Sequence, residues 1–226
     1  MHEDLIEALL TIEEAVSRGY RIYRRPQACF PELVPADAES LATTMEKLSN
    51  EVAACKNCVL ATTRHNTVFG QGVLNPLVLV VGEGPGAEED AQGLPFVGPS
   101  GKLLDKMLAS INLSRQTNCY IGNIVKCRPP NNREPSQDER ASCMPYLKSQ
   151  IALLKPRAIL CAGRTAAQVL LATADGINKL RGRTFEYQGI PLIATYHPSA
   201  LLRDASLKRP AWEDLKRLRS LLDSLS

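Results

Sequence analysis

The sequence predicts an α/β fold, in which a mostly parallel β-sheet carries helices on both faces. Short apolar runs such as "PLVLVV" (residues 76–81) alternate with longer segments that have the apolar spacing of helices. Strands that are apolar throughout and separated by helices are typical of parallel sheets. Ligands of such proteins bind beyond the carboxyl ends of the strands, so the segments that leave those ends are the first candidates for a site.

Composition and charge limit the class of protein. The chain has 226 residues, of which 44% are hydrophobic and 23% charged, as in ordinary soluble domains. No apolar run approaches the ~20 residues needed to cross a bilayer, and a signal-peptide pattern is lacking, so we expect a cytoplasmic protein without membrane association. Residues 120–226 carry 17 Lys/Arg and 9 Asp/Glu, against 10 and 15 in residues 1–119. A basic half fits nucleic acid as a partner, and equally a solvated surface of mixed charge.

The N-terminal part is predicted to be separate from the rest. Residues 3–24 have helical spacing, and residues 24–40 contain three prolines, as expected of a linker. A second helical pattern leads into the first cysteine pair, with apolar positions at Leu41, Met45, Leu48 and Val52. We therefore divide the chain into an N-terminal helical extension with a Pro-rich linker, residues 1–50, and a main domain, residues 51–226.

The main domain is predicted to alternate strands and helices. Strands are expected at 76–81, 119–125 and 157–163, with a hairpin over 183–197 that turns at Gln188–Gly189, and helices at 100–111, 136–154, 164–172 and 211–225. Ser136 and Glu139 have the spacing of a capping box, and Pro145 is expected to kink or split the same helix. The loops after the first strand, the second strand and the hairpin should converge on one crevice.

The first of these loops, "GEGPG" (82–86), is rich in glycine. It lacks the spacing of a dinucleotide-binding loop, and "GPSGKL" (98–103) lacks that of a P-loop. A glycine-proline turn at a strand end still allows the backbone to approach a flat ligand closely. Phe96, which lies among the following turn residues, is either a stacking face for that ligand or a residue of the core.

Seven cysteines in a chain without a secretion signal indicate metal ligands or buried thiols rather than disulfides. Cys119 and Cys161 lie in apolar strands and are predicted to be small core residues. Four others are candidate ligands, namely the C-x2-C pair Cys55 and Cys58, together with Cys127 and Cys143. Four thiolates suit zinc or an iron–sulfur cluster, and spacing does not choose between them.

The segment "TYHPSALLR" (195–203) contains the third candidate feature. His197 follows a strand and precedes a proline, which points its imidazole into the crevice, although a hydrogen-bonded structural histidine is the alternative. Leu201, Leu202 and Arg203 lie at the end of the same segment. Apolar side chains beside a cation are typical of proteins that insert a wedge into a nucleic-acid duplex.

Taken together, these motifs resemble the thermophile-type, iron–sulfur-containing uracil-DNA glycosylases of family 4. The resemblance runs from about Cys55 to Trp212 and rests on "GEGPGAEED", "GLPFVG", "NIVKCRPPNNR", "HPSALLR" and the four cysteines. It implies a three-layer α/β/α sandwich with a central, mostly parallel four-stranded sheet. It also implies a monomeric base-excision repair enzyme that flips uracil out of single- or double-stranded DNA and hydrolyses its N-glycosidic bond. A structural [4Fe–4S] cluster on Cys55, Cys58, Cys127 and Cys143 is implied as the cofactor.

The resemblance also implies roles for the site residues. The flipped base would lie against the backbone of Gly82 to Pro85, stack on Phe96 and pair with the amide of Asn123, which accepts from N3–H and donates to O4. Glu89 would block the 5-methyl group of thymine. His197 and the backbone N–H of Gly84 would stabilise the charge on O2, so that the catalytic group consists of His197, Asn123 and Glu83, which orients the water or stabilises the cation.

DNA itself would be held outside the pocket. The residues expected to contact it are Leu201, Leu202 and Arg203 in the wedge, with Lys126 and Arg128 after the second strand. Family members with an aspartate at the position of Ala87 have an evident water-positioning carboxylate, which this sequence lacks. The residue that handles the water is therefore left open by the motif.

Two other functions are alternatives to a glycosylase. One is a non-catalytic or covalently trapping uracil-DNA-binding protein, although residues 120–145 lack the histidine through which trapping relatives act. The other is an iron–sulfur redox protein, which the basic half and the wedge do not favour. A nucleoid-associated location in a prokaryotic cytoplasm is expected, with residues 1–50 available for a replication or repair partner.

Overall fold

The structure, a computed structural model, describes residues 38–225 of the chain. The helix predicted over 3–24 and most of the Pro-rich linker lie outside these residues. The first described element is helix α1, Ala38–Ala54, in which Met45, Leu48 and Val52 are buried as the apolar pattern predicts. α1 packs against the helix over residues 137–154, so the domain boundary expected at residue 50 falls within a helix.

A six-stranded sheet forms the centre of the fold, in the order β1-β3-β2-β4-β6-β5. The strands are β1 Gln71–Gly72, β2 Val78–Gly82, β3 Cys119–Asn123, β4 Ala158–Ala162, β5 Thr184–Tyr187 and β6 Ile190–Thr195. The four central strands are parallel, and β1 and β5 pair antiparallel at the two edges. The expected four-stranded sheet is therefore too small, because two antiparallel edge strands extend the four parallel ones. One of them, β5, is the first strand of the hairpin predicted over 183–197, whereas β1 was not predicted.

Helices separate the strands and pack against the sheet, as the alternating pattern predicts. After α1 they are α2 Ala87–Gln92, α3 Pro99–Ala109, α4 Gln137–Leu154, α5 Arg164–Leu171, α6 Ile177–Leu180, α7 Pro198–Arg203 and α8 Lys208–Ser224. Short 3₁₀ turns lie at Val59–Thr62, Pro130–Asn132 and Ala205–Leu207. None of the helices within residues 38–225 combines the length and the apolar character that a membrane span requires.

Local sequence signals explain most of these elements. Ser136 caps α4 by accepting a hydrogen bond from the backbone N–H of Glu139, whose side chain accepts one from Ser136 N, so the predicted capping box is present. α4 continues through Pro145 as one helix, so the expected split does not occur. Cys119 and Cys161 have no exposed surface, which confirms that they are core residues.

The register of the parallel strands brings their carboxyl ends together. Gly82 at the end of β2 lies opposite Asn123 at the end of β3, and Ala162 at the end of β4 lies opposite Thr195 at the end of β6. The loops that leave these four residues therefore start at one edge of the sheet. This edge is where a ligand is expected in an open α/β fold.

Candidate functional site

A cavity of about 560 Å³ lies at this edge of the sheet. Loops from all four parallel strands line it, and it falls within the size range of small-molecule sites. Seven of the predicted uracil-binding residues line the cavity, namely Glu83, Gly84, Pro85, Glu89, Phe96, Asn123 and His197. The three loops singled out in the sequence thus meet around a single space.

Phe96 combines the two alternatives that the sequence left open. Its side chain is only 6% exposed and belongs to the main hydrophobic core, yet it also lines the cavity. Its ring lies 5.7 Å from that of His197, measured between centroids. A Cβ atom on Gly82 would lie 2.6 Å from Cζ of Phe96 and 2.4 Å from Oδ1 of Asn123, so the absence of a side chain at Gly82 allows both groups to approach the strand end.

Asn123 presents an unused hydrogen-bond acceptor. The residue is 1% exposed, and its Oδ1 atom is the one buried side-chain nitrogen or oxygen in residues 38–225 that has no hydrogen-bond partner. An unpaired buried polar group is costly, so native proteins seldom keep one unless a bound water or a ligand completes it. The amide lies at the wall of the cavity, where such a ligand would bind.

Lys126 supports Asn123 from inside the protein. Its ammonium donates to the backbone oxygen of Asn123 at 2.9 Å and to Oε1 of Gln150 at 2.6 Å. The side chain is 1% exposed, and burial lowers its pKa to about 8. The expectation that Lys126 contacts DNA is therefore wrong, because its charge is used within the core.

His197 is held as a neutral imidazole with a defined tautomer. Burial, with a smaller contribution from the charge of Arg203, lowers its pKa to about 4. Nδ1 accepts a hydrogen bond from the backbone N–H of Ser199 at 3.2 Å, so the ring proton must reside on Nε2. The imidazole also packs on Gly163, where φ is +108° and a Cβ atom would lie 2.9 Å from Cβ of His197. The cavity therefore contains a histidine that can donate a hydrogen bond without carrying charge.

Two carboxylates line the cavity in different environments. Oε2 of Glu83 accepts a 2.6 Å hydrogen bond from the hydroxyl of Thr165, and no further hydrogen bond reaches the Glu83 carboxylate from the described residues. Glu89 is more tightly held, because its oxygens accept from the backbone N–H groups of Gly86, Val97 and Gly98. Glu83 can therefore bind a further group, whereas the carboxylate of Glu89 is fixed in orientation.

The segment expected to act as a wedge is helix α7, with His197 as its N-cap. Leu201 faces the core and is 3% exposed, so the expectation that it contacts DNA is wrong. Leu202 is 51% exposed, and Arg203 is exposed at the mouth of the cavity. Arg128 is half-buried and donates to Oδ1 of Asn132, another cavity residue. The surface part of the wedge is therefore one leucine and one arginine.

The four candidate cysteine ligands line a second, small cavity next to α1 and α4, namely Cys55, Cys58, Cys127 and Cys143. Two of their sulfurs accept hydrogen bonds, that of Cys127 from Nη1 of Arg64 and that of Cys143 from the backbone N–H of Lys126, both at 3.2 Å. Such donors stabilise thiolates and the sulfur atoms of iron–sulfur clusters.

The arrangement of these thiols bears on the kind of metal group that they would hold. Among the described residues no three His, Cys, Asp or Glu side chains are arranged around a point that a single ion would occupy. The four thiols line one small cavity, and four thiolates suit an iron–sulfur cluster as well as zinc. The donor set is thus compatible with the cofactor that the resemblance implies.

Sequence reasoning missed the contribution of the loop after β4. Thr165 at the start of α5 is 2% exposed, lines the cavity and holds Glu83, and Arg164 beside it pairs with Glu134 at 2.7 Å. The signal was present, because "GRT" follows the third predicted strand, and the carboxyl ends of all parallel strands lie at one edge.

Comparison with known proteins agrees with this geometry. Residues 69–216 match the family model described as the uracil DNA glycosylase superfamily, which defines the class of protein. A type-4 uracil-DNA glycosylase from Thermotoga maritima is 42% identical over 185 residues, covering 79% of this chain and 94% of that protein. Those from Pyrobaculum aerophilum (40%; 76% and 91% covered) and Sulfurisphaera tokodaii (39%; 79% and 84% covered) are similarly close. The chain belongs to the type-4 uracil-DNA glycosylases, which confirms the resemblance carried by its motifs.

Proposed function

We propose that this protein excises uracil from DNA by hydrolysing its N-glycosidic bond, leaving an abasic site for repair. Membership of the family supports this function, and the name shared by the relatives describes the same activity. The observation that carries the proposal is the unpartnered Oδ1 of Asn123, buried in a cavity that Phe96 and His197 also line. A uracil inside a duplex is out of reach of such a cavity, so the base must be flipped out.

Asn123 selects the base through its amide. Oδ1 accepts the N3–H of uracil and Nδ2 donates to O4, and cytosine presents the opposite pattern at these two positions. A site with a fixed amide leaves polar groups unpaired when cytosine enters, which rejects it by a factor on the order of 10⁴. The ammonium of Lys126 contributes by fixing the backbone oxygen of Asn123.

Phe96 and Glu89 shape the pocket around the base. The ring of Phe96 offers a stacking face, a contact that is worth ~1–3 kcal/mol for a nucleobase. Glu89 excludes the 5-methyl group of thymine by its bulk. Support for this role comes from the three backbone N–H groups that hold its carboxylate, since they prevent it from swinging away.

His197 and the backbone N–H of Gly84 stabilise the leaving group. When the glycosidic bond breaks, negative charge develops on O2 of the uracil. The Nε2–H of a neutral His197 donates to that oxygen, and its low pKa keeps the ring in the donor form without a net charge. Loss of one such donor costs ~3–4 kcal/mol in related oxyanion sites.

Glu83 is the group that orients the attacking water. Ala87 carries no polar side chain, whereas the Glu83 carboxylate lines the cavity and has one oxygen fixed by Thr165. The remaining oxygen accepts a hydrogen bond from the water and aligns it with C1′ of the sugar. The same negative charge stabilises the oxocarbenium character of the sugar in the transition state.

DNA is held by the residues around the cavity mouth. Leu202 fills the space that the flipped base leaves, and Arg203 and Arg128 contact phosphates. Their exposure at or near the mouth supports these roles. Single- and double-stranded DNA are both substrates on this proposal, and the enzyme acts as a cytoplasmic, nucleoid-associated monomer. The part of the N-terminal extension that precedes α1 is proposed to bind a replication or repair partner.

A [4Fe–4S] cluster is proposed on Cys55, Cys58, Cys127 and Cys143. When bound it supplies structural cross-linking rather than redox chemistry, since hydrolysis needs no electron. The ligands join α1, the loop after β3 and α4. Because Lys126 lies between Asn123 and Cys127 in the chain, anchoring that loop also anchors the base-reading amide.

Incubation of the protein with uracil-containing single-stranded DNA tests the function. The expected products are free uracil and an abasic site, with strong losses of rate in Asn123→Ala and His197→Ala. An SDS-resistant protein–DNA complex without free uracil would instead indicate a covalent trap. Full activity in both variants would remove the proposed site.

A further inference from the structure

Phe96 has a backbone conformation that its neighbours must enforce. Its φ is +52°, in the left-handed region that an aromatic residue rarely adopts. Such a conformation persists only where the surrounding structure over-determines it, and it is common at functional sites. The contacts around Phe96 therefore identify the groups that fix its ring at the cavity.

Gly101 in α3 supports Phe96 from one side. A Cβ atom at this position would lie 1.8 Å from the carbonyl oxygen of Phe96 and 2.0 Å from its carbonyl carbon. The Phe96 carbonyl therefore rests directly against the helix, in the space that a side chain would take. This contact explains why a glycine lies in the first turn of α3. It also fixes the distance between the backbone of Phe96 and the helix.

Arg115 holds Phe96 from the other side. The guanidinium donates to the carbonyl oxygen of Pro95 at 2.8 Å from Nη1 and to that of Phe96 at 2.9 Å from Nη2. These two carbonyls flank the φ and ψ angles of Phe96, so a single rigid fork fixes the conformation of the residue.

The guanidinium is itself firmly placed. Arg115 is 8% exposed, its Nη1 donates to Oε1 of Gln71 at 2.9 Å, and its Nε and Nη2 lie 3.0 and 2.9 Å from Oδ1 of Asp105. Four hydrogen bonds therefore leave the guanidinium, to acceptors in β1, α3 and the loop that contains Phe96. Arg115 does not line the cavity, so it reaches a ligand only through that loop.

We propose that Arg115 is a positioning residue that holds the ring of Phe96 in place to stack on the flipped base. The inference rests on the proposed function, which supplies the base. Without the fork, the carbonyls of Pro95 and Phe96 lose their common donor, φ of Phe96 relaxes to a negative value, and the ring turns away from the cavity.

A double-mutant cycle tests this role. Single-turnover excision of uracil is measured for the wild type, Arg115→Met, Phe96→Ala and the double variant. Arg115→Met is expected to slow excision about 10-fold, the size of one lost base–aromatic stack, and to have almost no effect in the Phe96→Ala background. Arg115→Met should lower the melting temperature by similar amounts in the wild type and in Phe96→Ala, because the same hydrogen bonds are lost in both.

Controls separate positioning from general damage. Arg219→Met removes another ion-paired arginine, which contacts Asp223 within α8, and it should leave the rate unchanged. Arg115→Lys keeps the charge but replaces the rigid planar fork with a flexible ammonium. If Arg115→Met does not fold, Arg115→Lys takes its place in the same cycle. Equal slowing by the Arg115 variant in both backgrounds would overturn the proposal.

A second readout does not depend on catalysis. The chain has three histidines, and the ring current of Phe96 shifts the Hε1 resonance of His197. In Arg115→Met this resonance is expected to move toward its position in Phe96→Ala, and an unchanged resonance would contradict the proposal. A wild type that releases no uracil would overturn the proposed function, whereas the resonance would still decide whether Arg115 positions Phe96.

Discussion

The phenyl ring of Phe96 and the imidazole of His197 lie with centroids 5.7 Å apart and planes inclined by 33°. The two residues are about a hundred positions apart in the chain, since Phe96 lies between α2 and α3 and His197 follows β6. Asn123, at the end of β3, is the third residue that lines the same cavity. A planar pyrimidine in this cavity therefore meets a ring face, an amide and a hydrogen-bond donor, and the following predictions test that arrangement.

Gly82→Ala is expected to slow uracil excision by about 100-fold, the usual penalty when reacting groups are displaced by ~1 Å. The added methyl group would press on both Oδ1 of Asn123 and the Phe96 ring. Single-turnover kinetics measure the effect. Gly176→Ala is the matched control, because a Cβ atom there meets no atom within 4 Å. Equal rates in the two variants would show that the space at Gly82 is not needed.

Titration of His197 should not change the rate of uracil excision between about pH 5.5 and 8. Burial lowers the pKa of His197 to about 4, so the ring remains a neutral donor across this range. The single-turnover rate on a short DNA substrate measures the dependence. A fall in rate with a midpoint near the ordinary histidine pKa of about 6.5 would contradict a buried, neutral imidazole.

The same shift makes folding stability depend on pH. The unfolded chain protonates His197 near pH 6.5, whereas the folded protein does so only near pH 4. Between these values the unfolded state binds more protons, so the free energy of unfolding contributed by His197 falls as the pH decreases through this window. Urea titrations at several pH values should therefore give a flatter profile for His197→Gln than for the wild type.

Thr165→Val should lower the excision rate at saturating DNA about 10-fold with little change in KM. The substitution keeps the shape of the side chain but removes the hydroxyl that fixes Oε2 of Glu83. Thr165→Ser keeps the hydroxyl and serves as the control, with near wild-type rates expected. If Thr165→Val is fully active, Glu83 needs no such orientation.

Arg203→Gln and Arg128→Gln should each reduce the slope of log K against log[salt] for DNA binding by about 1, as expected for one lost phosphate contact. Lys126→Met is the contrasting variant. Its ammonium is internal, so the salt slope should stay the same while the melting temperature falls. A smaller salt slope in Lys126→Met would instead show that the ammonium of Lys126 contacts the DNA.

Cys127→Ala and Cys143→Ala should lose bound iron and the broad cluster absorbance at about 400 nm. Cys161→Ala is the control, since its thiol is also buried but lies within β4, away from the other cysteines. Iron content and absorbance of the purified variants decide the matter. Retained iron in the first two, or zinc in the wild type, would contradict the proposed cluster.

The convergence of the site could be predicted because it depends on strand topology. Buried apolar strands separated by helices place their carboxyl ends at one edge, which singled out the loops there and His197, whereas the role of Asn123 came from the family resemblance. The rule was applied to three loops and not to "GRT" after β4, which is why Thr165 was missed.

Side-chain direction was harder to predict. Leu201 and Leu202 are adjacent, and only the start of α7 at Pro198 decides which of them faces the core. Lys126 looks like a surface cation in the sequence, because its partner Gln150 lies on a helix 24 residues away. The antiparallel edge strand β1 has two residues and carries no apolar pattern to detect.

A crystal structure with free uracil bound tests the central claim most directly. The account predicts the ring of uracil stacked on Phe96, N3 within hydrogen-bond distance of Oδ1 of Asn123, and O2 facing Nε2 of His197. Uracil bound elsewhere, or bound in this cavity without contact to Asn123 and His197, would contradict it.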